Sequence, residues 1–174
     1  PAAWGERGVL LALAATAHHA AFTGRRPPAV IAGHGVLGRL IARVLIAAGE
    51  QPPVVWETNA ARRDGATGYS VVDPAEDSKA DYMTICDASG DQSAINAFIA
   101  RLGIRGELVL AGFYSGDIAF NFPMAFMTEA KISIAAEWAP EDLKAVTDMV
   151  RDGRLSLDGL ITHRLSATDA DDAY

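Results

Sequence analysis

Three glycines in one short turn constrain the fold of this chain more than any other feature. Gly33, Gly35 and Gly38 have the G-x-G-x-x-G spacing, between an apolar β-like run at 29–32 and a helix-like run at 39–48. In such a turn the first glycine permits a tight bend, the second lets a pyrophosphate approach the backbone, and the third lets the helix pack against the strand. The N–H groups and the positive dipole end of the helix then favour phosphate. The turn therefore predicts a dinucleotide site, which also includes His34, Val36 and Leu37.

An acidic residue follows the next apolar run. Residues 53–56 read as a second strand, and Glu57 comes directly after it. Its distance from Gly38 is close to the roughly 20 residues expected for the acid that bonds the adenosine ribose hydroxyls. A carboxylate there also repels a 2′-phosphate, so it favours NAD over NADP. The alternative is an α/β turn without a ligand and a surface glutamate.

Composition narrows the class of protein. The chain has 174 residues, of which 50% are hydrophobic, and this suits one globular domain. A net charge of −7 disfavours nucleic acid and anionic membranes as partners. A single cysteine, Cys86, gives no disulfide framework and favours a reducing compartment, so we expect a cytoplasmic protein. No apolar run reaches the roughly 18 residues of a membrane span.

Strand-like and helix-like segments alternate along the chain. The predicted strands are 29–32, 53–57, 68–72, 82–87, 107–113, 132–136 and a last short one at 160–163. The predicted helices are 8–21, 39–48, 59–65, 94–102, 140–150 and one that starts at Ala167. This alternation predicts an α/β fold, a doubly wound Rossmann parallel sheet of about six strands with helices on both faces.

Ligands of such folds bind at the carboxyl ends of the strands. The loops at 33–38, 57–59, 87–90 and 111–114 should therefore lie on one rim. We expect the adenosine half of a dinucleotide between the first two loops and the nicotinamide half near the last two.

Several stretches, taken in order, resemble a known family. After the glycine turn come W-E-T-N-A-A-R-R-D-G-A at 56–66, D-A-S-G at 87–90 and L-V-L-A-G-F at 108–113, and L-I-T-H follows at 160–163. They resemble the cofactor half of medium-chain, alcohol-dehydrogenase-like oxidoreductases, over nearly the whole chain. Four stretches, GHGVLGRL, VVWETN, FPMAFM and AAEW, are similar to the dehydrogenases of bacteriochlorophyll synthesis. Those enzymes oxidise the 3-(1-hydroxyethyl) group of the macrocycle to acetyl with NAD.

The resemblance implies roles for individual residues. Gly33, Gly35 and Gly38 match the phosphate turn, Glu57 matches the ribose acid, and Arg62 matches a basic residue that reaches the adenosine. Backbone on the nicotinamide side is matched by Ala88, Ser89, Gly90, Ala111, Gly112 and Phe113. Arg63 has no match and is interpreted as a solvated helix residue. The resemblance also implies NAD as cofactor, a small-molecule substrate of the tetrapyrrole class, and a homodimer.

In this family the substrate pocket, and zinc where it occurs, come mainly from a GroES-like domain that precedes the cofactor domain. We therefore expect a leading helix and linker at 1–26, an NAD-binding Rossmann domain at 27–154, and a segment at 155–174 that returns toward a GroES-like catalytic domain absent from this chain. The catalytic residues are then unknown and belong to that domain. This chain, a part of a longer protein, should bind NAD without turnover.

The cysteine and the histidines do not predict a metal site. Zinc needs three or four ligands around one point, whereas Cys86 lies within a predicted strand. His18 and His19 are adjacent on a helix and point about 100° apart. They are interpreted as helix-end or core histidines, with a position facing the cofactor as the alternative. The His34 side chain lies over the phosphates or faces solvent, and His163 is structural.

Apolar side chains are dense after the fifth predicted strand, at Phe113, Tyr114, Phe120, Phe122, Met124, Phe126 and Met127. One interpretation is an apolar wall for a flat macrocycle. The favoured one is core packing together with a dimer edge, with Phe113 and Tyr114 kept as pocket residues.

Four functions compete. The first is an NAD-dependent alcohol dehydrogenase acting on a bacteriochlorophyllide, and the second is the same domain acting on a polyol or another secondary alcohol. A non-catalytic NAD-binding module is the third, although the sequence has nothing basic enough for a DNA-binding partner domain. A methyltransferase is the fourth, since it also uses a glycine turn and an acid after the second strand.

Overall fold

A six-stranded sheet runs through the middle of the computed structural model, which describes residues 2–166. Its strands are β1 Val30–Ala32, β2 Val54–Trp56, β3 Ser70–Val72, β4 Tyr82–Asp87, β5 Leu102–Leu110 and β6 Lys131–Ile134. Their order is β3-β2-β1-β4-β5-β6, and every neighbouring pair is parallel. The strand order reverses between β1 and β4, which is where open parallel sheets bind ligands.

Helices cover both faces of the sheet. They are α1 Leu11–Phe22, α2 Val36–Ala47, α3 Ile95–Ala100, α4 Phe122–Met127 and α5 Pro140–Arg151, with 3-10 segments at Ala2–Leu10, Ala60–Arg62 and Gln92–Ala94. Helix α1 packs against α2 and α5, while α3 contacts α4 and β5. The predicted doubly wound α/β fold is confirmed.

Two hydrophobic cores lie on opposite sides of the sheet. Ile31 belongs to the core under α1, α2 and α5, whereas its neighbour Val30 belongs to the core that contains α3. This follows from the alternation of side chains along a strand. On the first side α1 buries five alanines, Ala14, Ala15, Ala17, Ala20 and Ala21. Their small side chains let α1 lie close to α2.

The last predicted strand, 160–163, is wrong. This segment forms no strand in the structure, and Leu160 instead places its side chain in the core under α1 and α2. Just before it, Arg43 of α2 donates to the carbonyls of Ser156 (3.0 Å) and Asp158 (2.8 Å). These bonds hold the chain against the helix layer and away from a sheet edge.

Other elements differ in length. The helix expected at 59–65 is only the 3-10 turn Ala60–Arg62. The Asn59 side chain caps the Ala61 N–H at its start, and Gly65 takes a left-handed φ of 80°, which a right-handed helix does not include. Helix α4 was not predicted. The helix expected from Ala167 lies outside the described residues. No helix within residues 2–166 is both long and apolar enough to cross a membrane.

Candidate functional site

A cleft of about 510 Å³ opens at the carboxyl ends of the central strands. It lies where the loops after β1, β2 and β4 meet. Six of the sequence-predicted residues line it: Gly33, Gly35, Glu57, Arg62, Ala88 and Ser89. The cleft lining does not include His34, Val36, Leu37, Gly38, Gly90, Ala111, Gly112 or Phe113.

The glycines of the turn have distinct environments. Gly33 has a φ of 98°, and its N–H donates to the Trp56 carbonyl at 2.8 Å. A Cβ on Gly38 would lie 1.9 Å from the Gly33 carbonyl oxygen, so only glycine lets α2 pack against the turn. A Cβ on Gly35 would meet no atom within 4 Å. Gly35 precedes α2, which has no side-chain N-cap, so the helix N-terminus offers N–H groups to a ligand from the cleft.

Glu57 is held at the carboxyl end of β2. Its side chain is largely buried, and Oε2 accepts from the His34 N–H at 3.1 Å while Oε1 accepts from the Asn59 N–H at 2.8 Å. A carboxylate has about four acceptor positions, so both oxygens keep room for hydroxyl donors from the cleft. The glycine turn and Glu57, which are far apart in sequence, are thus joined by a direct hydrogen bond.

The His34 side chain does neither of the two things that the sequence suggested. It is 1% exposed, with Nδ1 2.6 Å from the Arg62 carbonyl oxygen and Nε2 2.9 Å from the Tyr69 hydroxyl. It therefore lies under the turn, away from both the cleft and the solvent. Burial lowers the pKa of His34, and the nearby guanidinium of Arg39 lowers it further.

The two arginines after β2 differ. Arg62 is exposed and lines the cleft, and its contact with the adenosine stays a prediction. The interpretation of Arg63 as a solvated residue is wrong. Its guanidinium donates to the carbonyls of Glu57 (2.8 Å) and Thr58 (3.0 Å) and pairs with Asp73. Arg63 thereby braces the loop that carries the acid, which is a role that spacing alone does not reveal.

Asp87 joins the loops on the other side of the cleft. Its fully buried carboxylate accepts from the N–H (2.8 Å) and hydroxyl (2.6 Å) of Ser89 through Oδ1, and from the Tyr114 hydroxyl through Oδ2. Its carbonyl accepts from the N–H groups of Ala111 and Gly112, each at 2.8 Å. Burial, followed by the bond to Asp87, raises the pKa of Tyr114, so this hydroxyl remains protonated.

Two glycines let the two loops on this side of the cleft approach each other closely. A Cβ on Gly112 would lie 2.5 Å from the Gly90 nitrogen, and one on Gly90 would lie 2.6 Å from the Phe113 carbonyl oxygen. The two loops therefore touch backbone to backbone. Phe113 itself is 91% exposed and does not line the cleft.

One wall of the cleft was missed by the sequence reasoning. It is a stripe formed by Ala94, Ala97, Phe98 and Arg101, next to Trp56. Phe98 stacks on the Trp56 ring with centroids 6.1 Å apart, and the Arg101 guanidinium lies 5.5 Å from that ring. The i, i+3, i+4, i+7 spacing of the stripe is the signal that identifies one face of a helix. The other missed lining residues are Ala32, Thr58, Pro74, Ala75 and Asp91.

The remaining histidines lie away from the cleft lining. His18 and His19 bond to one carboxylate, with Nδ1 atoms 2.7 and 3.1 Å from the oxygens of Asp142. Asp142 also accepts from the Ala139 N–H, so this cluster links α1 to the start of α5. His163 is exposed. No group of three or more metal-ligating side chains occurs among the described residues, and the Cys86 thiol is buried, which raises its pKa.

The apolar residues after β5 divide into two sets. Met124 packs against the core on the α3 side, as favoured from sequence. Tyr114, kept above as a pocket residue, packs against the same core and does not line the cleft. The exposed set is Phe113, Phe120, Phe122, Phe126 and Met127, so these side chains do not pack in the core, and the expected dimer edge stays a prediction. They lie close in sequence to the edge strand β6, whose Ile134 is also exposed.

Comparison with known proteins gives a consistent picture. The chain is 55% identical over 171 residues to the 2-desacetyl-2-hydroxyethyl bacteriochlorophyllide A dehydrogenase of Rhodobacter capsulatus. It is also 55% identical over 168 residues to the protein of that name from Cereibacter sphaeroides. These alignments cover 98% and 96% of this chain but 54% and 53% of the relatives, so the chain spans about half the length of the curated relatives it matches. The resemblance found in the sequence is confirmed.

Solved structures support the fold. An alcohol dehydrogenase from Escherichia coli CFT073, crystallised with NADH, matches with a TM-score of 0.83 at 20% identity, over 99% of this chain and 56% of that one. At this identity the match concerns the fold alone. No family model matches the chain.

Proposed function

We propose that this chain is the NAD-binding part of a bacteriochlorophyllide A dehydrogenase. Nearly its whole length aligns with about half the length of two proteins of that name. In this proposal the enzyme oxidises the hydroxyethyl group of a bacteriochlorophyllide to an acetyl group. NAD supplies the hydride acceptor when it is bound. What this chain contributes is binding and orientation, and its residues fit that task.

The turn before α2 takes the pyrophosphate. Gly35 leaves open space in front of a helix N-terminus without a side-chain cap. An anion there meets backbone N–H groups and the positive end of the helix dipole. Val36 and Leu37 take part through their N–H groups, which is why their side chains need not line the cleft.

The observation that carries the proposal is the position of Glu57. Its carboxylate is bonded to the glycine turn through the His34 N–H and lines the same cleft as Gly35. A ribose beside the pyrophosphate would find hydroxyl acceptors there, whereas a 2′-phosphate would meet a negative charge. This arrangement supports NAD over NADP, with Arg62 beside the adenosine. The backbone of residues 88–90 and 111–113 borders the nicotinamide.

Calorimetric titration with NAD and NADP tests this assignment. We expect NAD to bind to the parent chain at least tenfold more tightly than NADP, and Glu57→Ala to remove most of the difference. Glu50→Ala is the matched control, since it removes the same charge from an exposed residue away from the cleft. Equal binding of both nucleotides to the parent would contradict the role of Glu57. Preferential binding of S-adenosylmethionine would favour a methyltransferase.

The substrate is tested with a chimaera. The 171 aligned residues of the Rhodobacter capsulatus protein are replaced by this chain, and NAD reduction is followed with a hydroxyethyl bacteriochlorophyllide, with polyols and with other secondary alcohols. We expect turnover with the bacteriochlorophyllide only, and no turnover by this chain alone, since we place the substrate pocket in a GroES-like domain outside this chain. Oxidation of polyols alone would favour the second function. The unmodified Rhodobacter capsulatus protein is the positive control.

We also propose a cytoplasmic homodimer. Strand β6 lies at the sheet edge, and exposed apolar side chains occur on it and on α4, including Phe126 and Ile134. Such a surface suits a second copy of the chain. Sedimentation should give a dimer for the parent and a monomer for Ile134→Lys, whereas a monomeric parent would contradict this proposal.

A further inference from the structure

We propose that the His34 side chain is a positioning residue that holds the acid loop, defined as residues 57–65, against the glycine turn and thereby sets the selectivity of Glu57 for NAD over NADP. The inference rests on the proposed function for its second half. Its first half concerns the protein without nucleotide and is tested separately.

The geometry places His34 between two segments that are distant in sequence. Its Nδ1 bonds the carbonyl of Arg62, within the acid loop, at 2.6 Å. Its Nε2 bonds the hydroxyl of Tyr69, just before β3, at 2.9 Å, and the two rings meet edge to face at 80°. The imidazole thus connects the turn after β1 with the middle and the end of the connection between β2 and β3.

The partners fix the protonation of the imidazole. A carbonyl oxygen only accepts, so Nδ1 carries the proton and donates to Arg62, and in the neutral ring Nε2 accepts from the Tyr69 hydroxyl. Among the charged groups around the ring, Arg39 and Arg43 oppose a positive charge and Glu57 favours one. Burial opposes it most, so the ring is neutral near pH 7.

The same residue also bonds the acid itself. The His34 N–H donates to Glu57 Oε2, while the side chain holds the carbonyl five residues further along the loop. Arg39 adds a second brace, from its Nε to the His34 carbonyl (3.1 Å) and from its Nη2 to the carbonyls of Asp64 (2.8 Å) and, at a longer 3.4 Å, Arg62. The loop is thereby tied to the turn at the acid and beyond it. Without the side-chain bond, the Arg62 carbonyl keeps only the longer bond from Arg39, so the loop that carries Glu57 is held less firmly against the turn.

The competing explanation is that the buried His34 ring only fills space. Two substitutions distinguish this packing role from the proposed role of the hydrogen bond to Arg62. The amide nitrogen of asparagine lies near the position of Nδ1, and that of glutamine lies near Nε2. His34→Asn therefore keeps the donor to Arg62 and loses Tyr69, whereas His34→Gln loses the donor to Arg62. Both variants replace the buried ring with an amide side chain, so a packing role predicts that they have similar effects on hydrogen exchange and on selectivity. His163→Ala is the control, because it removes an exposed histidine that hydrogen-bonds to the neighbouring Thr162 and does not line the cleft.

The experiment has two measurements on each protein. The first is amide hydrogen exchange of residues 57–65 without nucleotide, and the second is the ratio of NAD to NADP affinity by calorimetry. For His34→Gln we expect exchange of the loop to rise about tenfold and the affinity ratio to fall about tenfold, as for a lost buried hydrogen bond. His34→Asn should stay within about twofold of the parent in both measurements.

Other results overturn the inference. If His34→Gln exchanges like the parent, or if both variants lose protection and selectivity equally, the bond to Arg62 does not hold the loop. If the parent binds neither nucleotide, the proposed function fails, and the exchange rates alone then decide whether His34 holds the loop. If exchange separates the variants but selectivity does not, the loop is held and its link to Glu57 is wrong.

Discussion

The two loops on each side of the cleft are joined by different kinds of contact. On the first rim, residues 33–38 and 57–65, the side chains of His34, Arg39 and Arg63 donate to backbone carbonyls. On the second rim, residues 87–90 and 111–114, backbone lies directly on backbone and a single buried carboxylate joins the loops. A side-chain tie can be altered without displacing the chain, whereas a backbone contact cannot. Except at Gly38, where a Cβ would meet the Gly33 carbonyl within the turn, substitutions should therefore change selectivity on the first rim and stability on the second.

We expect the largest difference in unfolding free energy between the two rims when one methyl group is added to each. In Gly112→Ala the new Cβ would lie 2.5 Å from the Gly90 nitrogen, and backbone must move to relieve the clash. We expect the free energy of unfolding to fall by about 3 kcal/mol. In Gly35→Ala the Cβ meets nothing within 4 Å and φ is −72°, so stability should change by less than about 1 kcal/mol while NAD affinity falls. Urea denaturation and calorimetry measure both; equal stability losses would contradict the comparison.

A smaller effect is expected from removing one hydroxyl on each rim. Tyr114→Phe deletes a donor to the buried charged carboxylate of Asp87, and we expect a loss of about 2 kcal/mol in unfolding free energy. Tyr69→Phe deletes a donor to the neutral imidazole of His34, and the expected loss is about 1 kcal/mol. Thermal and urea unfolding of the two variants measure this difference. A reversed order would show that Asp87 has other donors when Tyr114 is removed.

The smallest effect is a pH dependence that belongs to the first rim. The pKa of His34 is lowered in the folded protein, so the unfolded chain binds more protons as the pH falls below the ordinary histidine value of 6.5. The stability that the neutral His34 contributes is fully present above that pH. It is lost as the pH falls toward the pKa of His34 in the folded protein. The slope is at most about 1.4 kcal/mol per pH unit for one proton. Urea unfolding between pH 7.5 and 5 should show the slope in the parent and lack it in His34→Asn.

The sequence predicts those features of the molecule that depend on local pattern. Apolar runs, Gly38 and Glu57 were enough to predict the parallel sheet, the turn and the acid at the carboxyl end of β2. These features follow from periodicity and spacing within one or two elements. The helix at 94–102 was predicted from the same kind of signal, but the position of its stripe on the cleft was not.

The rest depends on contacts between segments far apart in sequence. Nothing near His34 indicates that its side chain lies under the turn on the Arg62 carbonyl, or that Arg63 bonds the loop instead of solvent. The predicted strand at 160–163 failed for the same reason, since a short apolar segment fits a strand and a core-facing coil equally well. Tertiary partners decide such cases.

The most direct test of the account is a crystal structure of this chain with NAD. It should place the pyrophosphate at the N–H groups of residues 35–37, the adenosine ribose hydroxyls on the Glu57 carboxylate, and the nicotinamide beside residues 88–90 and 111–113. The His34 side chain should keep its bond to Arg62 and touch no cofactor atom. A nucleotide bound outside this cleft, or one whose ribose avoids Glu57, would contradict the division of the site into these two rims.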